Sequence, residues 1–297
     1  MTASDHSNLP QNHAAGDAPL GRATPYPTAY DPGQLYAIPR AENRQTLGLT
    51  SGALPFHGDD VWNAYEVSWL GSGGKPEARA AQLRFPCASP TIVESKSLKL
   101  YLNSLNQHRF DSPEHARSQI ETDLSRAAGA PVPVRFFTTT ELEARAFADG
   151  RAKTGQSRCL DALNVTVTHY NRAPQLLRRA STAKDEAHAT SIAGTLYTDL
   201  FKSNCPVTGQ PDWASVFVEY EGPEIDAAGL FAYLISYRNE QDFHEHCVEQ
   251  IFTDLNERCA PERLTVYACF LRRGGLDINP FRSNFQASPE FLRAARQ

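Results

Sequence analysis

Two stretches of eleven residues decide how this chain folds: EHARSQIETDL at 114–124 and EHCVEQIFTDL at 245–255. Seven of the eleven positions are identical, at an offset of 131 residues. YLNS at 101–104 precedes the first stretch, YLIS at 233–236 precedes the second, and the dipeptide AP follows each. Because three blocks recur in the same order with nearly the same spacing, the sequence predicts a unit that has been duplicated in tandem.

Each of these stretches is predicted to lie in a helix. From Val248 onward, apolar residues recur at i, i+3, i+4 and i+7, which is one face of a helix over 244–258. The first stretch shows a narrower apolar stripe over 112–127. Ser112 followed by Pro113 is typical of a helix N-cap and first turn. The duplicated unit therefore contains a helix at the same place in both copies.

Strands are predicted on both sides of each helix, from short runs rich in aromatic and β-branched residues. Each half is accordingly predicted to be a layer of antiparallel strands with helices packed on one face, which is the α+β class. The predicted strands lie before the two helices at 97–105 and 230–237, after them at 132–137 and 263–271, and elsewhere at 62–70, 163–170 and 213–222.

The polar segment RRASTAKDEAHATS, residues 178–191, is the predicted linker between the halves. The N-terminal half then covers 21–177 and the C-terminal half 192–297, after a flexible polar tail at 1–20. That tail has neither a basic start nor an apolar centre, so a secretory signal is not expected.

Composition excludes several classes of protein. The formal net charge is −5, so nothing indicates a basic surface for nucleic acid or for an anionic membrane. No apolar run approaches the roughly 20 residues that span a bilayer. The six cysteines are widely spread without a CxxC pair, and we expect free thiols and a cytoplasmic location.

The loop NCPVTGQPDW, residues 204–213, carries the first candidate chemistry. Its two prolines and one glycine favour a compact reversal, which could return Asp212 toward the thiol of Cys205. A thiol beside a carboxylic acid suits attack of sulfur on an electrophilic carbon with protonation of the developing charge. On these residues alone, a structural loop with a buried thiol is the slightly favoured interpretation, because reactivity depends on surroundings that sequence does not reveal.

The cluster FHEHC, residues 243–247, is the second candidate site. His244 and His246 point to different sides of a helix start, so the spacing argues against zinc, and no metal is predicted. Glu245 is better placed to accept hydrogen bonds from the N–H edge of a polar ring. Its repeat partner Glu114 follows a proline instead of a histidine, so the halves have diverged here.

Three further segments are weaker indicators of function. VESKSLKLYL at 93–102 is either a solvated edge strand with charged residues or an anion-binding turn. LRRGG at 271–275 is either an exposed turn or a phosphate contact. GSGGKP at 71–76 lacks the P-loop frame and is predicted to be a hairpin turn, and the chain contains no GxGxxG fingerprint.

Taken in order, ESKSLKLYLNS at 94–104, CPVTGQPDW at 205–213, FHEH at 243–246 and RRGG at 272–275 resemble the NADPH-dependent 7-cyano-7-deazaguanine reductases of queuosine biosynthesis. The resemblance covers nearly the whole chain, from about Leu20, and is to the long form of that family. It implies two tandem tunnelling-fold (T-fold) domains, each with an antiparallel sheet and helices on one face.

The resemblance also implies a reaction and a role for each matching residue. The nitrile of 7-cyano-7-deazaguanine is reduced by two NADPH to an aminomethyl group. Cys205 is the implied nucleophile, which forms a covalent thioimide, and Asp212 the acid that protonates nitrogen. His244 and Glu245 are implied to hold the deazaguanine, with Glu245 on the pyrimidine edge. The remaining implied residues are Val93, Glu94 and Ser95 at the substrate, and Ser95, Lys96, Arg273 and Gly274 at NADPH.

Two other functions stay open at this point. One is a zinc-dependent T-fold hydrolase of the GTP cyclohydrolase I type, which would need Cys and His ligands that converge on a metal ion. The other is a purine- or pterin-binding module without catalysis, in which Cys205 is an inert structural thiol. For the reductase we expect a small-molecule substrate, no direct binding of nucleic acid or membrane, and a homodimer.

Overall fold

The computed structural model describes most of the chain, with the following ranges: 25–49, 52, 54–146, 157–180, 191–289 and 297. The predicted tail at 1–20 and ten residues of the predicted linker, 181–190, lie outside the described residues. Residues 178–180 of that linker contact the C-terminal half, since Ala180 N donates to Glu224 O at 2.7 Å.

A single sheet of eight strands runs through both halves. The strands of the described residues are β1 (Ala37–Pro39), β2 (Asp59–Leu70), β3 (Pro76–Pro86), β4 (Thr91–Val93), β5 (Val134–Phe137), β6 (Ser157–Cys159), β7 (Ser191–Asn204), β8 (Pro211–Pro223), β9 (Arg263–Phe270) and β10 (Leu276–Ser283). The sheet order is β5-β3-β2-β10-β9-β8-β7-β6, and β1 pairs separately with β4. Only the β6–β7 pair in this sheet is parallel. The predicted α+β class with antiparallel strands is confirmed.

Strand β10 joins the two halves. On one side it pairs with β9 of its own half, and on the other side with β2, where Ile278 lies opposite Trp62. The first hairpin strand of the N-terminal half, β2, and the last strand of the C-terminal half, β10, are therefore paired within one continuous sheet.

The described residues form six α-helices, four of which pack against strand residues in the two hydrophobic cores. They are α1 (Arg40–Gln45), α2 (Ser95–Ser104), α3 (Pro113–Ala128), α4 (Thr139–Ala146), α5 (Ala227–Ile235) and α6 (His244–Cys259). None of them is both long and apolar enough to cross a bilayer. The predictions for α3 and α6 are confirmed, and the hydroxyl of Ser112 caps α3 by accepting from His115 N at 3.1 Å.

Two strand predictions are wrong, because 97–105 and 230–237 lie largely in helices α2 and α5. Leucines alternate along α2, which favours a strand, but the intervening Tyr101 is buried as well, so the helix is apolar over a broad face. Capping acids start both helices: Glu94 accepts from two backbone N–H groups of α2, and Asp226 accepts from one of α5. The predicted strand at 163–170 is irregular instead, and Leu163 and Val165 pack against the C-terminal core.

The two halves contain the same sequence of elements, with a hairpin, two helices and a strand in each. Residues at equivalent positions of the repeat make equivalent contacts. Tyr101 of α2 donates to Asp123 of α3 at 2.8 Å, and Tyr233 of α5 donates to Asp254 of α6 at 2.5 Å. Each hydroxyl satisfies a buried carboxylate, which ties the two helices of its half together.

A buried cluster of charges, which we call the seam, lies between the two hydrophobic cores. Arg282 of β10 contacts Asp60 and Glu249, at 2.8 Å in each case. Arg40 adds a second bond to Asp60 at 2.5 Å, and Arg44 adds one to Glu249 at 2.7 Å. Although burial raises the pKa of Glu249, Arg282 and Arg44 hold it at about 2. The two carboxylates and three guanidinium groups thus satisfy one another where the halves meet.

Candidate active site

A pocket of about 400 Å³ opens at the junction of the halves, beside the seam. Both halves contribute to it, so neither alone encloses the pocket. Its lining residues are Trp62, Ile92, Val93, Glu94 and Ser95 from the N-terminal half, and Cys205, Pro206, Asp212, Asp242, Phe243, His244, Glu245, Arg273 and Ile278 from the C-terminal half.

The β7–β8 hairpin brings Cys205 and Asp212 to this pocket. Residues 205–210 form the predicted compact reversal, which we call the Cys205 loop. The backbone N–H of Cys205 donates to Gln210 O, and its carbonyl accepts from Gly209 N, each at 2.9 Å. Across the ladder Ser203 lies opposite Asp212, so both ends of the loop meet the same cavity. Cys205 is buried and is a free thiol.

Asp212 lies between two basic side chains. Its Oδ2 is 3.1 Å from Nε2 of His244, and its Oδ1 is 2.9 Å from Nη1 of Arg273. The imidazole of His244 stacks on Phe270, with the ring centroids 3.9 Å apart and the planes at 18°. That stacking fixes the ring orientation that presents Nε2 to Asp212. A buried acid with a histidine at hydrogen-bonding distance can deliver a proton into the pocket and receive one from behind.

Glu245 is buried in the first turn of α6, at the opposite wall of the same pocket. Burial raises its pKa to about 7, and the nearby Asp60 adds to this, whereas His244 and Arg40 oppose it. A carboxylate at this position can accept two N–H donors from the edge of a planar ring. Its capacity to do so changes near neutral pH.

The ESKS segment, residues 94–97, is the start of helix α2. Glu94 accepts from the backbone N–H groups of Lys96 and Ser97, at 2.7 and 2.8 Å, so its carboxylate serves as the helix cap. The alternative of a solvated edge strand is therefore wrong. With Val93 and Ser95, this helix start forms the N-terminal wall of the pocket.

Basic groups gather where α2 faces the β9–β10 turn. Nζ of Lys99 lies 3.1 Å from the place that a Cβ on Gly274 would occupy, and Gly274 has a positive φ of 57°. Burial lowers the pKa of Lys99, and Arg273 lowers it further. Arg273 and Lys99 thus place two basic side chains at this turn, which suits a phosphate-bearing ligand.

Comparison with known proteins shows which family this chain belongs to. The family model described as "Nitrile reductase, 7-cyano-7-deazaguanine-reductase N-term" matches residues 26–136, and that described as "QueF-like protein" matches 211–289. The NADPH-dependent 7-cyano-7-deazaguanine reductase of Bordetella avium is 52% identical over 282 residues, which are 95% of this chain and 98% of that protein. The chain belongs to the 7-cyano-7-deazaguanine reductase family.

Other members of the reductase family are similarly close. Those of Chromohalobacter salexigens and Burkholderia multivorans are each 50% identical, over 94% of this chain and 96% and 98% of their own. Among solved structures, the apo archaeosine synthase QueF-Like covers 34% of this chain at 16% identity, with a TM-score of 0.29 that is too low to inform the fold.

Eight of the ten residues singled out by the resemblance to the reductase family line the pocket, and the other two, Lys96 and Gly274, do not. Their individual roles stay predictions. Sequence reasoning included Lys99 only within the possible anion-binding turn at 93–102. It missed Asp242, although Asp242 stands four residues before His246, a helical spacing that could have indicated a side-chain pair. Over the described residues, no group of three or more His, Cys, Asp or Glu side chains is arranged to hold a metal ion.

Proposed function

We propose that this chain reduces the nitrile of 7-cyano-7-deazaguanine to the aminomethyl group of 7-aminomethyl-7-deazaguanine, with NADPH as the reductant. One observation carries the proposal: a single pocket contains a buried free thiol, an acid paired with a histidine, and a carboxylate that can read a ring edge. The relatives that bear this activity by name match almost the full length of the chain.

Cys205 makes the nitrile reducible. Its sulfur bonds to the nitrile carbon while one π bond of the C≡N group breaks, and the nitrogen takes a proton, which gives a thioimide. Splitting the reaction in this way replaces one difficult hydride acceptor by an easier one. When the first hydride has reached the carbon, the C–S bond breaks, the thiolate is returned, and an imine remains. Overall the nitrile takes up two hydrides and two protons.

Asp212 supplies the proton where negative charge develops on nitrogen. Nε2 of His244, 3.1 Å away, can return a proton to the carboxylate between steps. Nη1 of Arg273 lies 2.9 Å from the other carboxylate oxygen, where its positive charge faces the carboxylate that remains after proton transfer. We infer from this contact that His244 exchanges protons with Asp212 as well as forming a wall of the pocket.

The substrate and the cofactor are recognised by different walls. Glu245 accepts the N–H donors of the pyrimidine edge, while Val93, Glu94 and Ser95 bound the ring from the N-terminal half. NADPH, when bound, supplies the hydride for each reduction. The residues proposed to hold it are Ser95, Lys96, Arg273 and Gly274, and the basic side chains of Arg273 and Lys99 at the β9–β10 turn fit its phosphates.

The repeated order of elements supports a further proposal, that each half is a T-fold domain. We also propose that the chain forms a homodimer in the cytoplasm and does not bind nucleic acid directly. Sedimentation analysis of the full chain tests the dimer, and a single species with the monomer mass would contradict it.

The deciding experiment mixes the full chain with 7-cyano-7-deazaguanine and NADPH and follows the absorbance of reduced nicotinamide. We expect NADPH to disappear with a stoichiometry of two per aminomethyl product. Folded, reduced protein that consumes no NADPH would defeat the proposal.

A second experiment tests the covalent step without NADPH. Intact mass spectrometry should show an adduct of the substrate's mass on the wild-type chain and none on Cys205→Ala. Cys159→Ala is the matched control, since Cys159 is half-buried in β6 and does not line the pocket. Turnover by Cys205→Ala would show that Cys205 is not the nucleophile, whereas a wild-type chain that binds the substrate without adduct or turnover would favour the binding-module alternative.

A further inference from the structure

Each half has an Asp–His pair in which the aspartate precedes the repeated helix, α3 or α6, and the histidine lies in its first turn. The two pairs differ in how far they are exposed to solvent. In the N-terminal half Asp111 and His115 are 3.9 Å apart, with 92% and 55% of their side chains exposed. In the C-terminal half Asp242 and His246 form a direct, short hydrogen bond, with 12% and 8% exposed. The same four-residue spacing is thus a loose surface pair in one copy and a buried bond beside the pocket in the other.

Asp242 is held on both carboxylate oxygens. Oδ2 accepts from Nδ1 of His246 and from Nε2 of Gln250, the latter at 3.0 Å. Oδ1 accepts from the backbone N–H of Phe243, the residue directly before α6, at 2.7 Å. The carboxylate therefore fixes the turn that presents Phe243, His244 and Glu245 to the pocket.

The segment that contains Asp242 is also tied to the Cys205 loop. Asn204, which directly precedes Cys205, donates its backbone N–H to Glu240 O at 2.8 Å and accepts from Asp242 N at 3.0 Å. Its side-chain amide donates to Glu240 O at 3.1 Å. Segment 240–242 thus links the Cys205 loop on one side with the first turn of α6, which carries Glu245, on the other.

The charges around His246 favour its protonated form. Burial lowers the pKa of His246, but Asp242, Glu249 and the backbone of Asn43 together outweigh burial and raise the pKa above its usual value. Arg40 and Glu245 line the adjoining cavity of about 270 Å³ with His246. An imidazolium donates from both ring nitrogens. Nδ1 can therefore donate to Asp242 while Nε2 donates toward α1.

We propose that the buried Asp242–His246 pair is a positioning device that holds the Cys205 loop and the first turn of α6 in register for catalysis. The inference rests on the proposed function for its substrate, 7-cyano-7-deazaguanine. Neither residue forms a bond to the substrate in this role. His246 acts through Asp242, and Asp242 acts through the backbone of Phe243 and Asn204.

The test compares three variants of the full chain: His246→Ala, His246→Gln and, at the equivalent exposed position of the repeat, His115→Ala. The rate of adduct formation on Cys205 is followed by mass spectrometry without NADPH, and NADPH affinity and thermal unfolding are measured in parallel. We expect His246→Ala to slow adduct formation about 100-fold, as small misplacements of reacting groups do. NADPH affinity should be unchanged, because the β9–β10 turn lies outside the linked segments.

His246→Gln should recover about tenfold of this loss, because its amide can still donate to Asp242, and His115→Ala should match wild type. A wild-type adduct rate in His246→Ala would overturn the inference. So would equal losses of adduct rate and NADPH affinity, which indicate a general structural role, or a glutamine variant no better than alanine. If His246→Ala does not fold, Asp242→Asn replaces it, with the same expected slowing.

The two proposals fail differently. A wild-type chain that forms no adduct defeats the proposed function. Alkylation of Cys205 by iodoacetamide then tests the positioning device alone: we expect the rate to differ between His246→Ala and wild type, and equal rates would overturn the inference.

Discussion

The carboxylate of Asp212 contacts the imidazole of His244, with 3.1 Å between Oδ2 and Nε2. The two residues come from different elements, the start of β8 and the start of α6, which the Cys205 loop and segment 240–242 bring together. Because the pair lines the pocket next to Cys205, a proton can pass from the histidine to the acid and on to a ligand atom.

Asp212→Asn should slow formation of the Cys205 adduct about 100-fold, the usual range for loss of a general acid. An amide keeps the shape of the side chain but has no acidic proton, so binding of 7-cyano-7-deazaguanine should be largely kept. The adduct rate is measured by a mass-spectrometric time course. Binding is measured by calorimetry on Cys205→Ala and on Cys205→Ala/Asp212→Asn, which cannot form the adduct.

The control for this substitution is Asp111→Asn, which removes an exposed carboxylate of the other half. It should form the adduct at the wild-type rate. An Asp212→Asn chain that did the same would remove Asp212 from its proposed role.

Substrate affinity should depend on pH through Glu245. Because its pKa is raised to about 7, the side chain is ionised above that pH and protonated below it. Only the carboxylate can accept both N–H donors of the pyrimidine edge, so the KM for 7-cyano-7-deazaguanine should rise as pH falls below about 7, by about tenfold per pH unit. Initial rates over a pH series check this.

Glu245→Gln separates titration from other causes. Its amide presents one acceptor at every pH, so we expect a higher KM that no longer changes around neutrality. A glutamine variant with the wild-type pH dependence would assign the titration to another group.

The repeat was the most predictive part of the sequence. The echoed stretches predicted helices α3 and α6, because their polar and apolar residues alternate with a clear helical period. Helix α5 was mistaken for a strand because its residues are apolar on nearly every side, which leaves no helical period. Helix α2 was mistaken for one because its leucines recur at every second position. Strands β3, β7 and β10 were not predicted as such; β10 is buried at every position, including Asp277 and Asn279, which hydrogen-bond each other.

The site was predicted less evenly. The Cys205–Asp212 reversal follows from local turn chemistry, so sequence could anticipate it. The role of Glu94 as the cap of α2 depends on recognising that helix, and the burial of His246 depends on α1, which lies about 200 residues earlier in the chain. Contacts across such a distance cannot be deduced from local spacing.

The seam should contribute strongly to stability. Glu249→Gln removes the carboxylate that pairs with Arg44 and leaves Arg282 with Asp60 alone in a buried setting, which should lower the free energy of unfolding by about 3–5 kcal/mol. Urea unfolding measures it. The comparison is Arg263→Ala, which breaks the exposed Arg263–Glu221 pair and should cost less than about 1 kcal/mol.

The same carboxylate predicts an acid limit. The pKa of Glu249 is lowered from 4.5 to about 2 in the folded chain, so its contribution is fully present above 4.5 and is lost as pH falls toward 2. In Glu249→Gln that part of the acid transition should vanish. An unchanged acid profile would show that the seam is not responsible.

The equivalent tyrosines should contribute equally to their halves. Tyr101→Phe and Tyr233→Phe each remove a hydroxyl that donates to a buried carboxylate, at a cost of about 1.5–3 kcal/mol. The sites lie in different halves, so the double variant should show the sum of the two losses. Tyr26→Phe, at a largely exposed ring, is the control and should leave urea unfolding unchanged.

Because β10 pairs with β2 at the junction of the halves, the geometry of the candidate active site depends on how firmly the halves are joined. The thiol and the start of α2 belong to different halves, and this ladder with its buried charges keeps them face to face. Loosening the junction would separate Cys205, the proposed nucleophile, from the start of α2, the proposed cofactor contact, while the strands within each half stayed paired. Activity should therefore be lost early in denaturation, before the circular dichroism signal of the strands. An enzymatic assay is then the most sensitive measure of how well the two duplicated halves remain associated.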